Sequence, residues 1–228
     1  MSLTQLQREA LRYLRVTGEA DAMLQTMLNS CEEQLRAACA PRYIWRLCEI
    51  SETERGILFS GTSLCLPGQD IRAHLRGCDR AVLLAATLSL GADTLLRRLS
   101  STDMAQAVVA DALASAMMEE TCDRAQEEIQ HRLRPAFMTW RFSPGYGDLP
   151  LGLQHAFITV LDADKKIGLT ATAGDMLLPQ KSVTAVIGLS ERRQTQKPHG
   201  CAVCNLRETC GMRGACADST HITEEENQ

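Results

Sequence analysis

The chain has 228 residues, of which 45% are hydrophobic and only 4% are aromatic. That length accommodates one large domain, or one domain with a small appendage, and a core poor in aromatic residues suits helices packed on a sheet better than a β-sandwich. The net charge of -4 and the pI near 5.8 argue against a nucleic-acid-binding surface, because such surfaces are usually basic.

The compartment is indicated by two features of the sequence. No apolar run is long enough to cross a membrane, and the N-terminus lacks the apolar region of a signal peptide. We therefore expect a soluble cytoplasmic protein. Six cysteines among apolar neighbours are expected to be reduced core thiols: Cys31, Cys39, Cys48, Cys65, Cys78 and Cys122.

The first elements predicted are two helices followed by strands. Apolar residues recur at three- and four-residue intervals over residues 4–40, with Gly18 as the break between two helices. Residues 43–50 alternate and are rich in β-formers, which predicts a strand. Residues 56–59 and 63–66 are short apolar pieces that predict a hairpin.

The middle of the chain predicts further helices around one buried strand. Asp70 is expected to cap a helix that stops at Gly77. The apolar run 81–88 is typical of a strand buried on both faces. Residues 90–99 and 102–131 predict two helices, the second with an apolar stripe that begins at Met104 and Val108 and is rich in alanine. Glu119 and Glu120 interrupt its apolar middle, where a solvated edge is favoured over site carboxylates.

The densest turn signal lies at residues 140–151, after a strand predicted at 136–142. Pro144 fixes its own φ, while Gly145 and Gly147 tolerate positive φ and let the backbone approach a bound molecule. This backbone predicts either a stiff ligand-holding loop or an ordinary surface turn.

Three polar side chains project from this loop. The guanidinium of Arg141 suits a carboxylate, Tyr146 offers a flat face with one hydroxyl, and Asp148 suits an ammonium group or ribose hydroxyls. Such a set can hold an amino acid or a nucleoside. The loop is expected to end at the N-terminus of a helix, whose free backbone N–H groups favour anions; His155 in that helix is interpreted as structural.

Strands are then predicted at residues 168–170, 176–179 and 182–189. Lys181 lies between the last two, where it is either an anion ligand or a charged turn residue.

Two ordered motifs in this region resemble one known family. Arg141-Phe-Ser-Pro-Gly-Tyr146 and Leu169-Thr170, followed by Met176-Leu-Leu-Pro-Gln-Lys-Ser-Val-Thr184, are similar to segments that frame the S-adenosylmethionine site in the activation domain of cobalamin-dependent methionine synthase. The likeness is sharper to stand-alone bacterial proteins of this group, which carry Pro-Gly-Tyr-Gly-Asp and Pro-x-Lys-Ser-Val-Thr. It covers roughly residues 112–189.

The resemblance implies an α+β fold, a C-shaped domain with a twisted, mainly antiparallel sheet and packed helices. It implies a module that presents S-adenosylmethionine to cob(II)alamin on a separate methionine synthase or other corrinoid protein, in methionine biosynthesis. An electron donor such as flavodoxin or ferredoxin would supply the electron for reductive methylation. The chain would then be part of a methyltransferase system, and not a complete enzyme.

The resemblance also implies roles for individual residues. Arg141 would bind the methionyl carboxylate, the backbone around Ser143 and Pro144 would meet the adenine, and Tyr146 would shape the pocket. Asp148 is interpreted as the holder of the amino group. The full predicted ligand site consists of Arg141, Ser143, Pro144, Gly145, Tyr146, Asp148, Lys181 and Ser182.

The last part of the chain changes composition and carries a second predicted site. Four cysteines, the first pair spaced Cys-x2-Cys, match a four-sulfur shell for zinc or an iron-sulfur cluster: Cys201, Cys204, Cys210 and Cys216. A redox pair and a tail of free thiols are the alternatives. The four cysteines also support an alternative function for the chain. In it, the chain does not bind S-adenosylmethionine and is a non-catalytic metal- or cluster-binding partner of a corrinoid enzyme.

Four regions follow from these observations. We expect N-terminal helices at 1–40 packed on the main domain, an activation-like domain at 41–196, a cysteine-rich tail at 197–218 and a disordered end at 219–228.

Overall fold

The computed structural model describes residues 3–16, 18–192 and 208. The chain divides into two compact units, residues 1–194 and 195–228. The predicted ligands Cys201, Cys204, Cys210 and Cys216, and the predicted regions 197–218 and 219–228, lie outside the described residues apart from Glu208. Every element named below belongs to the first unit.

That unit combines helices with short and long strands. The helices are α1 (Gln5–Tyr13), α2 (Ala22–Ala38), α3 (Gln69–Leu75), α4 (Leu90–Thr102), α5 (Met104–Leu133), α6 (Gln154–Leu161) and α7 (Ala163–Ile167), with a 3-10 turn at Leu151–Leu153. The strands are β1 (Arg42–Thr53), β2 (Gly56–Phe59), β3 (Cys65–Leu66), β4 (Arg80–Thr87), β5 (Phe137–Met138), β6 (Thr170–Ala171), β7 (Leu177–Leu178) and β8 (Ser182–Ser190).

The strands form an open antiparallel sheet and a separate hairpin. The sheet order is β3-β2-β1-β4-β8-β5, and β6 pairs only with β7. In the centre, Tyr43 is opposite Ala86, and Ala85 is opposite Thr184. The predicted α+β fold with a mainly antiparallel sheet is therefore confirmed.

The sheet is covered on both faces, which explains the uninterrupted apolar run of β4. Val82 and Leu84 pack with Ala125 of α5 on one face. Leu83 and Ala85 pack with Phe157 of α6 on the other face. Because successive side chains of a strand point to opposite faces, both sets must be apolar, and the prediction of a strand buried on both sides is confirmed.

The longest element is α5, and Asp103 is its N-cap residue. The carboxylate of Asp103 accepts a hydrogen bond from Gln106 N at 3.1 Å. The predicted apolar stripe is wrong in its first two turns, because Met104 and Val108 are exposed. The buried face there falls on small residues that pack with α1 and α2: Ala107, Val109 and Ala110. Small side chains let these helices approach α5 closely.

The strand predicted at 136–142 is shorter than expected. It consists of β5 and one isolated bridge between Phe142 and Val186. Between them, Thr139 N donates to Gly188 O at 2.9 Å, but Gly188 N donates to the hydroxyl of Thr139 at 2.8 Å. A side-chain acceptor thus replaces a backbone acceptor, and the ladder is interrupted at this point.

The six cysteines outside the tail are free thiols. The predicted core position is confirmed for Cys31, Cys48 and Cys122, which are buried, whereas Cys39, Cys65 and Cys78 are only partly buried. None of the helices in the described part of the chain is both long enough and apolar enough to span a bilayer.

We predict that Gly91→Ala destabilises the fold through the contact between α4 and α2. A Cβ at Gly91 would lie 1.8 Å from the carbonyl oxygen of Ala38. That oxygen belongs to the backbone, so it cannot move aside as the end of a flexible side chain could. We expect the free energy of unfolding in urea to fall by about 1–3 kcal/mol, the usual cost of overpacking. Gly174→Ala is the control, since its nearest neighbour would be 3.9 Å away. Equal stability of the two variants would contradict this packing.

Candidate ligand-binding site

Arg141 lies between β5 and the glycine-rich loop, with its side chain only 16% exposed. Its two terminal nitrogens donate to Glu119 and Asp123 of α5, each at 2.7 Å, and one of them also donates to Gln126 at 3.2 Å. A buried guanidinium requires such partners because removing it from water is costly. Arg141 is thus firmly placed, with the carboxylates as its partners.

The local charges affect two titrating groups. Burial alone would lower the pKa of Arg141, but the negative charges of Glu119 and Asp123 and the hydrogen bond to Asp123 act against it, and the pKa is raised. Burial raises the pKa of the neighbouring Cys122 thiol to about 12. Cys122 is therefore a neutral, unreactive thiol behind the arginine.

Lys181, at the start of β8, also reaches α5. Its ammonium group lies 2.9 Å from the carboxylate of Asp111 and donates to the hydroxyl of Ser115 at 2.9 Å. The lysine side chain is 18% exposed. The adjacent Ser182 hydroxyl is bonded to Thr87 at 2.8 Å and to the carbonyl of Pro179 at 2.7 Å, so both residues are held in place.

The two motifs, distant in sequence, therefore meet on one stripe of α5. The stripe consists of Asp111, Ser115, Glu119 and Asp123. Residues four apart lie on the same face of a helix, and these four span about 18 Å at 1.5 Å per residue. The three carboxylates are 45% to 61% exposed, while the cations are largely covered.

Sequence reasoning missed this stripe. The sequence predicts a solvated edge at Glu119 and gives no role to Asp123. A signal is present, because polar residues recur at intervals of four from Asp111 on a helix whose other residues between Asp111 and Glu119 are apolar. Nothing in the sequence showed that the stripe faces Arg141 and Lys181.

Asp148, the predicted holder of the ligand's amino group, lies at the N-terminus of α3. Its carboxylate accepts from Gln69 N at 2.5 Å and from Asp70 N at 3.1 Å, so it caps α3. In return Asp148 N donates to the carboxylate of Asp70 at 3.1 Å. The prediction that Asp70 caps α3 is wrong, because Asp70 lies inside the first turn and Gly68 occupies the N-cap position.

Two glycines make this reciprocal clasp possible. Gly68 and Gly147 both have positive φ, 114° and 53°. A Cβ at Gly68 would lie 2.4 Å from the carboxylate of Asp148, and one at Gly147 would lie 2.1 Å from that of Asp70. The loop is therefore fixed to α3 by a contact that only glycine permits at both points.

Backbone bonds also stiffen the loop from within. Gly145 N donates to Leu149 O at 2.9 Å, and Tyr146 N donates to Ser143 O at 3.0 Å across Pro144. Gly145 has φ of 96°, as its predicted turn role requires. These bonds support the interpretation as a rigid loop.

Tyr146 is the outer member of an aromatic cluster. Its ring is 53% exposed and lies 6.0 Å from Phe142 and 6.1 Å from Trp140, measured between centroids. Trp140 and Phe142 also contact the ring of the buried His74 at 4.6 and 4.9 Å. Tyr146 thus lies with Trp140 and Phe142, whereas Arg141, between those two residues in sequence, points to α5.

The edge of β8 completes the arrangement. Val186 exchanges both backbone hydrogen bonds with Phe142, and Lys181 O accepts from Leu88 N. Because bonds of an antiparallel strand alternate between its two neighbours, the backbone N–H and C=O of Thr184 also point away from β4. They lie beyond Phe142, the last partner on that side among the described residues.

Other polar groups near the loop fit structural roles. His155 in α6 lies 3.3 Å from Asp175, with both side chains partly exposed. Gln154 accepts a hydrogen bond from Thr184 inside the protein. In the described ranges no group of three or more His, Cys, Asp or Glu side chains is arranged to hold a metal ion.

Two surface depressions lie away from this arrangement. One, of about 450 Å³, lies between α2 and α5 and is lined by Met23, Thr26, Met27, Ser30 and Gln106. The other, of about 320 Å³, lies around α6 and α7. Neither is lined by Arg141 or Lys181. The candidate site is therefore defined by the convergence of charged groups on α5.

We predict that Asp148→Ala weakens the anchoring of the loop. The substitution leaves two N–H groups of α3 without their carboxylate and should lower the free energy of unfolding by about 1 kcal/mol, as loss of an N-cap does. Urea unfolding measures this loss, and Glu127→Ala on the exposed face of α5 is the control. Unchanged stability, together with unchanged hydrogen exchange of the first turn of α3, would contradict the clasp.

No protein-family model and no curated protein matches the chain. Among solved structures, it is similar to one described as the crystal structure of the MetH reactivation domain bound to AdoHcy. The TM-score is 0.62 at 13% sequence identity, with 83% of this chain and 77% of that chain covered. At this identity the similarity establishes the fold alone, so the chain shares the α+β fold of that reactivation domain.

Proposed function

We propose that the chain is a stand-alone reactivation module that binds S-adenosylmethionine for a separate cobalamin-dependent methionine synthase or related corrinoid methyltransferase. One observation carries the proposal: Arg141 and Lys181, one from each motif, meet the carboxylate stripe of α5. The similarity in fold to a domain solved with AdoHcy supports the same class of ligand.

The charge of the candidate site suits this ligand. Among the described residues, the ion pairs of Asp111, Glu119 and Asp123 are with Arg141 and Lys181, which leaves one excess negative charge. S-adenosylmethionine carries a carboxylate, an ammonium and a sulfonium group, and therefore one excess positive charge. Complementary charge of this kind favours binding and steers the ligand to the site.

The amino-acid end of the ligand fits beside Arg141. Its carboxylate takes over one donor nitrogen of Arg141 from Asp123, and its ammonium group pairs with the released carboxylate. One ion pair is thereby exchanged for two, and no buried charge is left alone. We therefore assign the ammonium to Glu119 and Asp123, and leave Asp148 out of the ligand site because both of its oxygens cap α3.

The nucleoside end is assigned to the loop. The exposed ring of Tyr146 offers a face for stacking with adenine, and the backbone at Ser143 and Pro144 is the predicted partner for its edge. Gly145 keeps the loop open to this approach, since it carries no side chain.

The chemistry itself belongs to the ligand and the partner's cobalamin. That cobalamin, reduced with one electron from an external donor such as flavodoxin or ferredoxin, would supply the nucleophile for the methyl group of S-adenosylmethionine, and S-adenosylhomocysteine would be the product. The chain contributes binding and orientation. A zinc or iron-sulfur site in the cysteine tail remains a prediction.

We expect Arg141→Ala to weaken the binding of S-adenosylmethionine by about 30-fold, or about 2 kcal/mol, because the partner of a desolvated carboxylate is removed. Isothermal titration calorimetry with the full chain measures this change. Arg124→Ala is the matched control, since Arg124 pairs with Glu120 on the exposed face of α5. Absence of binding by the wild-type chain, or equal binding by Arg141→Ala, would refute the assignment.

The reaction distinguishes this proposal from a non-catalytic partner protein. A corrinoid methyltransferase without its own activation domain, held as cob(II)alamin with a reductant, should regain the absorption spectrum of methylcobalamin only when both this chain and S-adenosylmethionine are added. Arg141→Ala should slow that recovery by at least the same factor of about 30 at subsaturating ligand. Stable binding of the chain to the methyltransferase with no spectral change would favour the non-catalytic alternative.

A further inference from the structure

The turn that carries Lys181 is hydrogen-bonded to the carboxylate of Asp93, a residue outside both motifs. Asp93 lies in the first turn of α4, and its residue surface is only 9% exposed. One oxygen accepts a hydrogen bond from Gln180 N at 2.9 Å. Asp93 therefore joins α4 to the residue immediately before Lys181.

The fold alone does not account for a charged residue at this position. The second oxygen of Asp93 is buried and has no hydrogen-bond partner among the residues that the structure describes. Its negative charge also reaches Cys39, whose pKa is raised to about 11, first by burial and second by Asp93. A buried carboxylate with so few hydrogen-bond donors lowers the stability of the fold, so its presence indicates a role at a site.

The other contacts of the turn show what Asp93 controls. Leu88 N donates to the carbonyl of Lys181 at 2.9 Å, and the hydroxyl of Ser182 bonds to Thr87 at 2.8 Å. Those bonds fix the residues from Lys181 onward, whereas the bond to Asp93 fixes Gln180. Together they determine the direction in which the side chain of Lys181 leaves the turn toward Asp111.

We infer that Asp93 is a positioning residue of the proposed ligand site: by accepting the hydrogen bond of Gln180 N, it holds the turn that aims Lys181 at the stripe of α5. The inference rests on the proposed function for its effect on ligand binding. Its effect on the turn is independent of any ligand.

The ligand-independent test is hydrogen exchange of the segment 177–186 in the full chain. Asp93→Ala should speed exchange of the Gln180 amide about tenfold, the change expected from one lost hydrogen bond. Asp93→Asn keeps an oxygen acceptor and should restore slow exchange. Asp164→Ala, which removes a first-turn carboxylate from α7, is the matched control. Unchanged exchange in Asp93→Ala would overturn the inference.

The binding test is a double-mutant cycle with Lys181, measured as the Kd of S-adenosylmethionine. Asp93→Ala should change the Kd about fivefold in the wild-type background, because a displaced Lys181 no longer neutralises Asp111 in the stripe. It should leave the Kd unchanged in the Lys181→Ala background, because Asp93 acts through Lys181. Asp93→Asn should bind within about twofold of wild type. Equal changes in both backgrounds, or a change in Asp93→Asn as large as in Asp93→Ala, would overturn positioning through Lys181. If the wild-type chain binds no S-adenosylmethionine, the proposed function fails, and the exchange measurement decides the role of Asp93.

Discussion

The ion pairs of Arg141 with Glu119 and Asp123 are the constraint on which the arrangement of this domain depends. A guanidinium with little exposure is tolerated only if its donors are satisfied, and two carboxylates on successive turns of one helix satisfy its fork. This contact ties the segment after β5 to α5. Lys181 ties the start of β8 to the same helix two turns earlier. The long helix thereby sets the distance between two segments that are far apart in sequence.

The glycine-rich loop obtains its rigidity from a different source. Its carboxylate Asp148 and the carboxylate of Asp70 each accept backbone N–H groups from the opposite segment, and the close approach needs glycine at positions 68 and 147. Because these bonds form part of the folded scaffold, the loop does not have to be ordered when a ligand arrives. A site formed in advance loses less conformational entropy on binding.

The exposure of the stripe agrees with the proposed role. A module that presents a methyl group to another protein needs its ligand accessible from outside, whereas an enzyme that completes a reaction alone usually encloses its substrate. The covered cations and exposed carboxylates of the stripe leave negative charge facing solvent. The ring of Tyr146, packed on Phe142, is a second exposed feature.

Much of this fold was predictable from the sequence, because the features concerned are local. Alternating or uninterrupted apolar residues located β1, β4 and β8, periodic residues located the helices, and Pro144 with Gly145 marked the loop. The errors have local causes as well. Thr139 substitutes its hydroxyl for a backbone acceptor and shortens a strand, and the first two turns of α5 bury alanine in place of Met104 and Val108.

The sequence by itself determined the elements, the stiff loop and the chemical types of Arg141 and Lys181, since propensity, periodicity and turn chemistry act over a few residues. Only the tertiary structure decided which partners these side chains meet. In the folded chain Arg141 pairs with Glu119 and Asp123, and Asp148 caps α3. Asp93 accepts a hydrogen bond from Gln180 N. These contacts join residues 18 to 87 positions apart, and such pairings follow from how helices pack on the sheet, which no local pattern encodes.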